Sequence, residues 1–270
     1  LAASGMNVAF IYGFWYFILR RLRVPYKITV ITGMGVVILY TLMTGLGASV
    51  IRAALMLLFV LAGKLIDRDA HSVSLLAFVA SIMLVYNPAF INDVGFQLSF
   101  IVTFGLLTSA NAVMERMHNW KVPDWLCAEL LIPVVAQIWV APIQMFYFNS
   151  FSTYSILANI SIMPFLSVIS FVGFVSSVFA VFKPAADFVC MVSDFVLKYF
   201  LDILVWISKF FSNLPYALLD TTHPSVFQIG LFYAVVLMVT FMFKVGITKR
   251  KVLITLSLIH ISEPTRRVVI

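Results

Sequence analysis

The sequence predicts an all-α fold, a polytopic integral-membrane helix bundle with about eight spans plus an amphipathic helix. Three observations carry this. The 270-residue chain is 63% hydrophobic and only 11% charged, whereas a soluble domain runs about half apolar and roughly a quarter charged. Its apolar runs approach or exceed the ~20 residues that cross a hydrocarbon core. Those runs are continuous rather than alternating, which is the pattern of helices and not of a β-barrel.

The spans fall near 6–19, 28–46, 50–66, 73–90, 96–114, 127–148, 156–182 and 226–243. The first is short. The seventh is long enough to tilt or break, and Pro164 within it favours a break. Between the seventh and eighth, Lys183–Pro215 carries Asp187, Asp194, Lys198, Asp202 and Lys209 at spacings of seven, four, four and seven. That places them on one narrow stripe of a helix of about 185–213 that is otherwise Phe, Leu, Val, Trp and Tyr. Asp194–Lys198 and Lys198–Asp202 can pair at i,i+4, each contributing a few tenths of a kcal/mol. Such a helix either lies in the interface or crosses with its stripe toward water. The stripe favours lying flat, and that reading is preferred here, although the loop charges fit crossing better. Residues 1–251 are read as one transmembrane domain. Residues 252–270, ending in "SEPTRRVVI", are read as a truncated span or a tail of foreign origin. The opening "LAASGMN", without an initiator Met or a basic leader, reads as the start of an excised segment.

The loops set the orientation. Up to Phe182, eight of nine Lys/Arg fall on one side if every span crosses: Arg20, Arg21, Arg23, Lys27, Lys64, Arg68, Arg116 and Lys121. The positive-inside rule makes that side cytoplasmic and the N-terminus external. This topology also accounts for most of the net charge of +7 without a polyanionic partner. On the outer side of residues 1–182 only Arg52 and Asp93 are charged. A lone charge near lipid is costly, so the two either face each other, directly or across a polar cluster, or are each solvated at the headgroups.

Four polar segments gather on that outer side. They are Ser4–Asn7, Thr44–Met56, Asn87–Phe100 ("NPAFINDVGFQLSF") and Phe146–Ile160. Ser49 is placed to cap the third helix. Pro88 and Gly95 bracket a short non-helical link, and Gln97 and Ser99 carry its polarity into the fifth span. Gln137 and Gln144, seven apart, share one face of the sixth span around Pro142. Polar backbone at membrane depth is tolerated where protein covers it or where it lines a wet cavity. The residues expected along such a path are Asn7, Ser49, Arg52, Asp93, Gln97, Ser99, Gln137, Gln144, Asn149 and Asn159. Ser150–Tyr154 reads equally as an ordinary external loop. Catalytic signatures are missing from the sequence: there is no HExxH, no phosphate-binding glycine loop and no Cys/His metal spacing. Cys127 and Cys190 lie far apart in apolar surroundings. No catalytic residue, metal site or cofactor is expected.

Four strings, in order, resemble the membrane competence domain of the ComEC family, which are DNA-uptake channels of the bacterial inner membrane. They are "SGMNV", "LYTLMTGLGASVIRAALM", "NPAFINDVGFQLSF" and "APIQMFYFNSFSTYSILANISIMP". The likeness is good over roughly residues 1–182 and looser beyond. Asn7 stands where the family pattern has His; it keeps hydrogen bonding but does not titrate near neutral pH. The family's outer OB-like domain and metallo-β-lactamase-like domain are not in this sequence, so the resemblance implies the channel portion alone. It further implies single-stranded DNA as cargo, the lipid bilayer as surroundings, and a DNA receptor, a cytoplasmic motor and other copies of the chain as partners. Aromatics such as Phe96, Phe100, Phe146, Tyr147 and Phe148 would offer stacking to bases, although packing explains any single one as well. The residues alone leave two other classes open, a secondary transporter of a small solute and an intramembrane transferase using Arg52 and Asp93.

Overall fold

The computed structural model of the chain describes residues 5–68, 71–110, 124–179 and 183–245. Ser4, the loop charges Arg116 and Lys121, the Asp187 side chain and the 252–270 tail lie outside the described residues. Nine helices are described: α1 (Gly5–Arg21), α2 (Tyr26–Met43), α3 (Ala48–Leu65), α4 (Ser72–Tyr86), α5 (Val94–Gly105), α6 (Asp124–Phe148), α7 (Ser155–Phe179), α8 (Lys183–Ser212) and α9 (Val226–Val245). A 3-10 turn (Pro88–Asn92) joins α4 to α5, and α5 runs on into a π-helical turn (Leu106–Ala110). Two three-residue strands, β1 (Ser150–Ser152) and β2 (Leu218–Asp220), complete the described elements.

Every expected span is occupied by a helix whose described ends fall within a few residues of the expectation. By length and composition, four stretches can cross a membrane: α2, α3, Leu130–Phe148 of α6 and Ser155–Ser177 of α7. Ser72–Tyr86, Val94–Ser109 and Val226–Met242 are apolar but shorter. The fifteen residues of α4 rise only about 22 Å, less than the ~30 Å hydrocarbon core. Pro164 does not break the seventh span, because α7 is continuous through it. Pro133 and Pro142 likewise sit inside α6. A proline removes one N–H and frees one carbonyl, a loss that helices in lipid tolerate when neighbours re-satisfy the backbone.

Three apolar clusters hold the bundle. Val8, Val37, Val50 and Ala54 join α1, α2 and α3. Leu75, Val79, Met83 and Phe96 join α4 and α5, with α3 packed against them. Leu131, Val135 and Trp139 of α6 meet α5 and, through Tyr233 and Val236, α9. The last cluster depends on Gly105, where a Cβ would collide with the Trp139 indole. The indole N–H donates to Ser109 Oγ at 3.2 Å, and Ser109 meets Thr240 Oγ1 at 3.1 Å. Tyr233 OH donates to the Trp139 carbonyl at 2.8 Å. A small polar net thus ties the π-helical turn to α6 and α9.

The preferred flat placement of the amphipathic helix does not fit the packing. α8 runs back along α7 in an antiparallel pair. Tyr154 meets Phe211, Phe165 meets Phe200, and Ser176 Oγ lies 3.8 Å from Cys190 Sγ. Each step of eleven residues along α7 is thus matched by ten or eleven back along α8. Ser193 and Ile207 are buried, while Asp194, Lys198, Asp202 and Lys209 stay exposed. The two short strands then close the pair. β1 precedes α7, β2 follows α8, and they are antiparallel with Ser150 opposite Asp220 and Ser152 opposite Leu218. Thr153 and Tyr154 add side-chain donors to the carbonyls of Tyr216 and Pro215. The exit of α8 is therefore fixed beside the start of α7. A helix that shadows a spanning helix along its length cannot lie in the membrane plane, so the packing favours the crossing alternative.

Two outcomes follow. In a Cys127→Ser background, Ser176→Cys should form an intramolecular disulfide with Cys190 under mild oxidation, read by mass spectrometry of linked peptides; a helix leaving α7 would give none. Gly105→Ala should cost about 1–3 kcal/mol by overpacking in detergent-unfolding measurements, with partial recovery when Trp139 is also replaced by Leu.

Candidate functional site

The segment Asn87–Phe100 spends most of its polarity on its own geometry. Asn87 precedes Pro88 and adopts the extended conformation that proline imposes on its predecessor. Its side-chain oxygen accepts from the Ala89 N–H at 3.1 Å and starts the 3-10 turn. Asp93 is the N-cap of α5 and accepts from the Phe96 N–H, satisfying one of the N–H groups every helix start leaves open. Gln97 folds back to donate to the Ile91 carbonyl at 2.8 Å. The link is thus a 3-10 turn between two capped ends, and Gly95 lies inside α5 rather than bounding a loop.

Ser99 turns the other way, toward α3. It accepts from Arg52 Nε at 2.6 Å and donates to Ser49 Oγ at 3.3 Å. Arg52 Nη1 also reaches Met56 Sδ at 3.6 Å. Ser49 is therefore not a helix cap. Gly47 holds the N-cap position of α3 without a side-chain bond, and Ser49 lies within its first turn. The direct Arg52–Asp93 contact is also absent, because each group has a different partner: the carboxylate caps α5 and the guanidinium is bound to Ser99. The two charges are joined only through α5. Above Arg52 the α1 backbone comes close, since a Cβ at Gly5 would lie 3.2 Å from Arg52 Nη2 and 2.9 Å from Ala53 Cβ. Among the described side chains, Arg52 is the one charged group that is not exposed. Arginine keeps its charge even when buried, so a cation at span depth needs acceptors supplied to it.

The remaining expected residues divide. Gln137 Nε2 donates to Gln144 Oε1 at 3.4 Å across the Pro142 turn, so that pair does share a face. Asn149 sits just past the end of α6 with φ 51°, the left-handed conformation that helix ends favour for Gly and Asn. Its carbonyl accepts from the Thr221 N–H at 2.9 Å, which extends the β1–β2 pairing. Asn159 is exposed on α7. Asn7 lines a cavity between α1 and α7, apart from the Arg52 cluster. The structure therefore gathers Ser49, Arg52 and Ser99 into one site, pairs the glutamines separately, and gives Asp93, Gln97 and Asn149 to local backbone. The net of Trp139, Ser109, Thr240 and Tyr233 was not foreseen. Its hydroxyls are single residues in apolar runs, and only Pro142 nearby marked the place.

A family model described as competence protein matches residues 1–245. A curated relative, ComE operon protein 3 of Bacillus subtilis (strain 168), is 31% identical over 165 residues. That match covers 61% of this chain and 20% of the relative, so the chain corresponds to about a fifth of that protein's length. No solved structure matches.

The hydrogen-bond pattern makes a quantitative prediction. In a double-mutant cycle on unfolding stability, Arg52→Ala and Ser99→Ala should couple by roughly 1 kcal/mol, within the range for interhelical bonds in membranes. Arg52→Ala and Asp93→Ala should be additive within about 0.5 kcal/mol. The reverse ranking would mean that the two charges, and not the serine, hold α3 to α5.

Proposed function

This chain belongs to the competence protein family, and from that premise we propose that it forms the part of a bacterial inner-membrane channel that passes single-stranded DNA into the cytoplasm during transformation. In this reading the N-terminus of α1 faces outward and the Arg20–Lys27 loop faces the cytoplasm, as the loop charges favour. A DNA receptor would deliver the strand and a cytoplasmic motor would draw it in. The segment conducts rather than catalyses, and it needs no cofactor.

The observation that carries the proposal is Arg52, the single charged side chain not exposed among those described, bound by Ser99 of α5, which in turn donates to Ser49 of α3. A polyanion needs some positive guidance to enter, but dense positive charge would trap it, because each phosphate neutralised adds affinity. A conducting site must bind well enough to admit and weakly enough to release. One oriented guanidinium, with neutral Ser, Thr, Gln and Asn elsewhere, meets both demands. Its Nε is committed to Ser99 and its Nη1 to Met56, while Nη2 lies beneath α1 at Gly5, so a phosphate would reach the guanidinium only from the side that α1 leaves uncovered.

The test uses the full-length protein in proteoliposomes, with labelled single-stranded DNA and a labelled small solute offered in parallel. Arg52→Ala should lower strand uptake at least about tenfold, equivalent to 1.4 kcal/mol, while Arg52→Lys keeps part of it and membrane insertion is unchanged. Uptake of the solute but not the strand by the unmodified protein, or full uptake by Arg52→Ala, would remove the proposal.

A further inference from the structure

The cavity between α1 and α7 differs in kind from the Arg52 cluster. It measures about 280 Å³, near the lower end of the roughly 300–1,000 Å³ typical of ligand pockets. Asn7 and Phe14, two turns apart, line it from one face of α1, and Ser170, Gly173 and Phe174 from one face of α7. Phe14 stands edge-on to Phe171 and Phe174, with ring centroids 5.6 and 5.0 Å away. Gly173 leaves open space, since a Cβ there would meet nothing within 4 Å. Neither the Asn7 nor the Ser170 side chain has a hydrogen-bond partner among the described residues. Both side chains are half-buried, so an amide and a hydroxyl are free to bond a guest in the cavity.

The lining narrows the choice of that partner. It carries aromatic rings and neutral hydrogen-bonding groups but no ionisable side chain other than the phenol of Tyr40, so neither a phosphate nor a charged solute is matched. An acyl chain would leave the amide and hydroxyl unpaired. It would be better served by the second cavity, about 330 Å³ between α2, α3 and α4, which is walled almost wholly by apolar side chains. A planar, neutral heterocycle with hydrogen-bonding edges fits both the rings and the polar pair. We infer that this cavity is a nucleobase subsite, in which successive bases of a passing strand rest against Phe14 and Phe174 while Asn7 and Ser170 hydrogen-bond to their edges. Aromatic stacking is sequence-tolerant because every base has a π-face. The inference rests on the channel reading above and adds to it where the bases, as distinct from the phosphates, are held.

The experiment stalls a bromouracil-containing strand in the full-length protein by a bulky block at its trailing end, then irradiates it and maps the adducts. Adducts are expected on the peptides of Phe14 and Phe174. A strand with an abasic tract, and the Gly173→Leu variant that fills the cavity, should each bind roughly five- to a hundredfold more weakly, the loss of one to a few stacked bases. Gly230→Leu, which adds the same side chain at another open position, should leave affinity unchanged. If the unmodified protein holds and moves the strand but adducts map elsewhere, or abasic and normal strands bind alike, the subsite is wrong and the channel stands. If free nucleoside rather than the strand labels Phe14 and Phe174, the site serves a small solute and the assignment to DNA fails. If the unmodified protein neither binds nor moves the strand, the channel reading itself has failed.

Discussion

Where a helix stops at or inside a bilayer, its terminal N–H and carbonyl groups lose their partners and have little water to replace them. The polar sequence at the α4–α5 break is organised around that constraint. Asn87 takes the Ala89 N–H, Asp93 takes the Phe96 N–H, and Gln97 covers the Ile91 carbonyl. With its ends satisfied, the break can aim α5 so that Ser99 faces α3. The same requirement governs Arg52. A guanidinium carried on a span needs acceptors, and Ser99 and Met56 supply them. The packing of α3 against α5 and the retention of a charge in the bundle are thus one arrangement, with Ser99 common to both.

The positions of the helices were legible because apolar runs of that length admit few alternatives in lipid. What lay between them was legible only in part. Asn87, Asp93 and Gln97 stood out as polar residues at depth, but composition does not separate a residue that lines a path from one that caps a turn. Arg52 and Asp93 were paired by elimination, as the two outer charges, whereas in the structure a serine and a backbone N–H satisfy them more cheaply than an ion pair across lipid would. Pro164 read as a break because soluble helices break there, yet α7 runs through it without interruption.

The α8 helix shows the limit of periodicity most clearly. Its stripe was read as one polar face, and of its members Asp194, Lys198, Asp202 and Lys209 are exposed. Periodicity states that a face is polar, not which neighbour covers the opposite one. That information lay in two strands of three residues, Ser150–Ser152 and Leu218–Asp220, too short to register as strands and separated by the whole α7–α8 pair. With the strands joined, α8 has to return along α7. If every helix crosses, Lys244, in the last turn of α9, falls on the same side as the Arg20–Lys27 loop, as the charge rule asks.

The ten residues expected along one path do not form one lining, and α1 is the reason. Successive helical residues are about 100° apart, so Gly5 and Asn7 lie on nearly opposite faces. Gly5 lets α1 close over Arg52 and Ala53, while Asn7 faces α7 and the aromatic cavity. Charge and neutral hydrogen bonding are thereby kept on separate sides of the same helix turn. Asn at position 7 preserves that separation at every physiological pH. A histidine there would become cationic as pH falls through its usual range and would add a second positive group on the neutral side. With Asn7, Arg52 remains the one charged side chain among those described that is not exposed, and the partner of its Nε, the Ser99 hydroxyl, carries no charge.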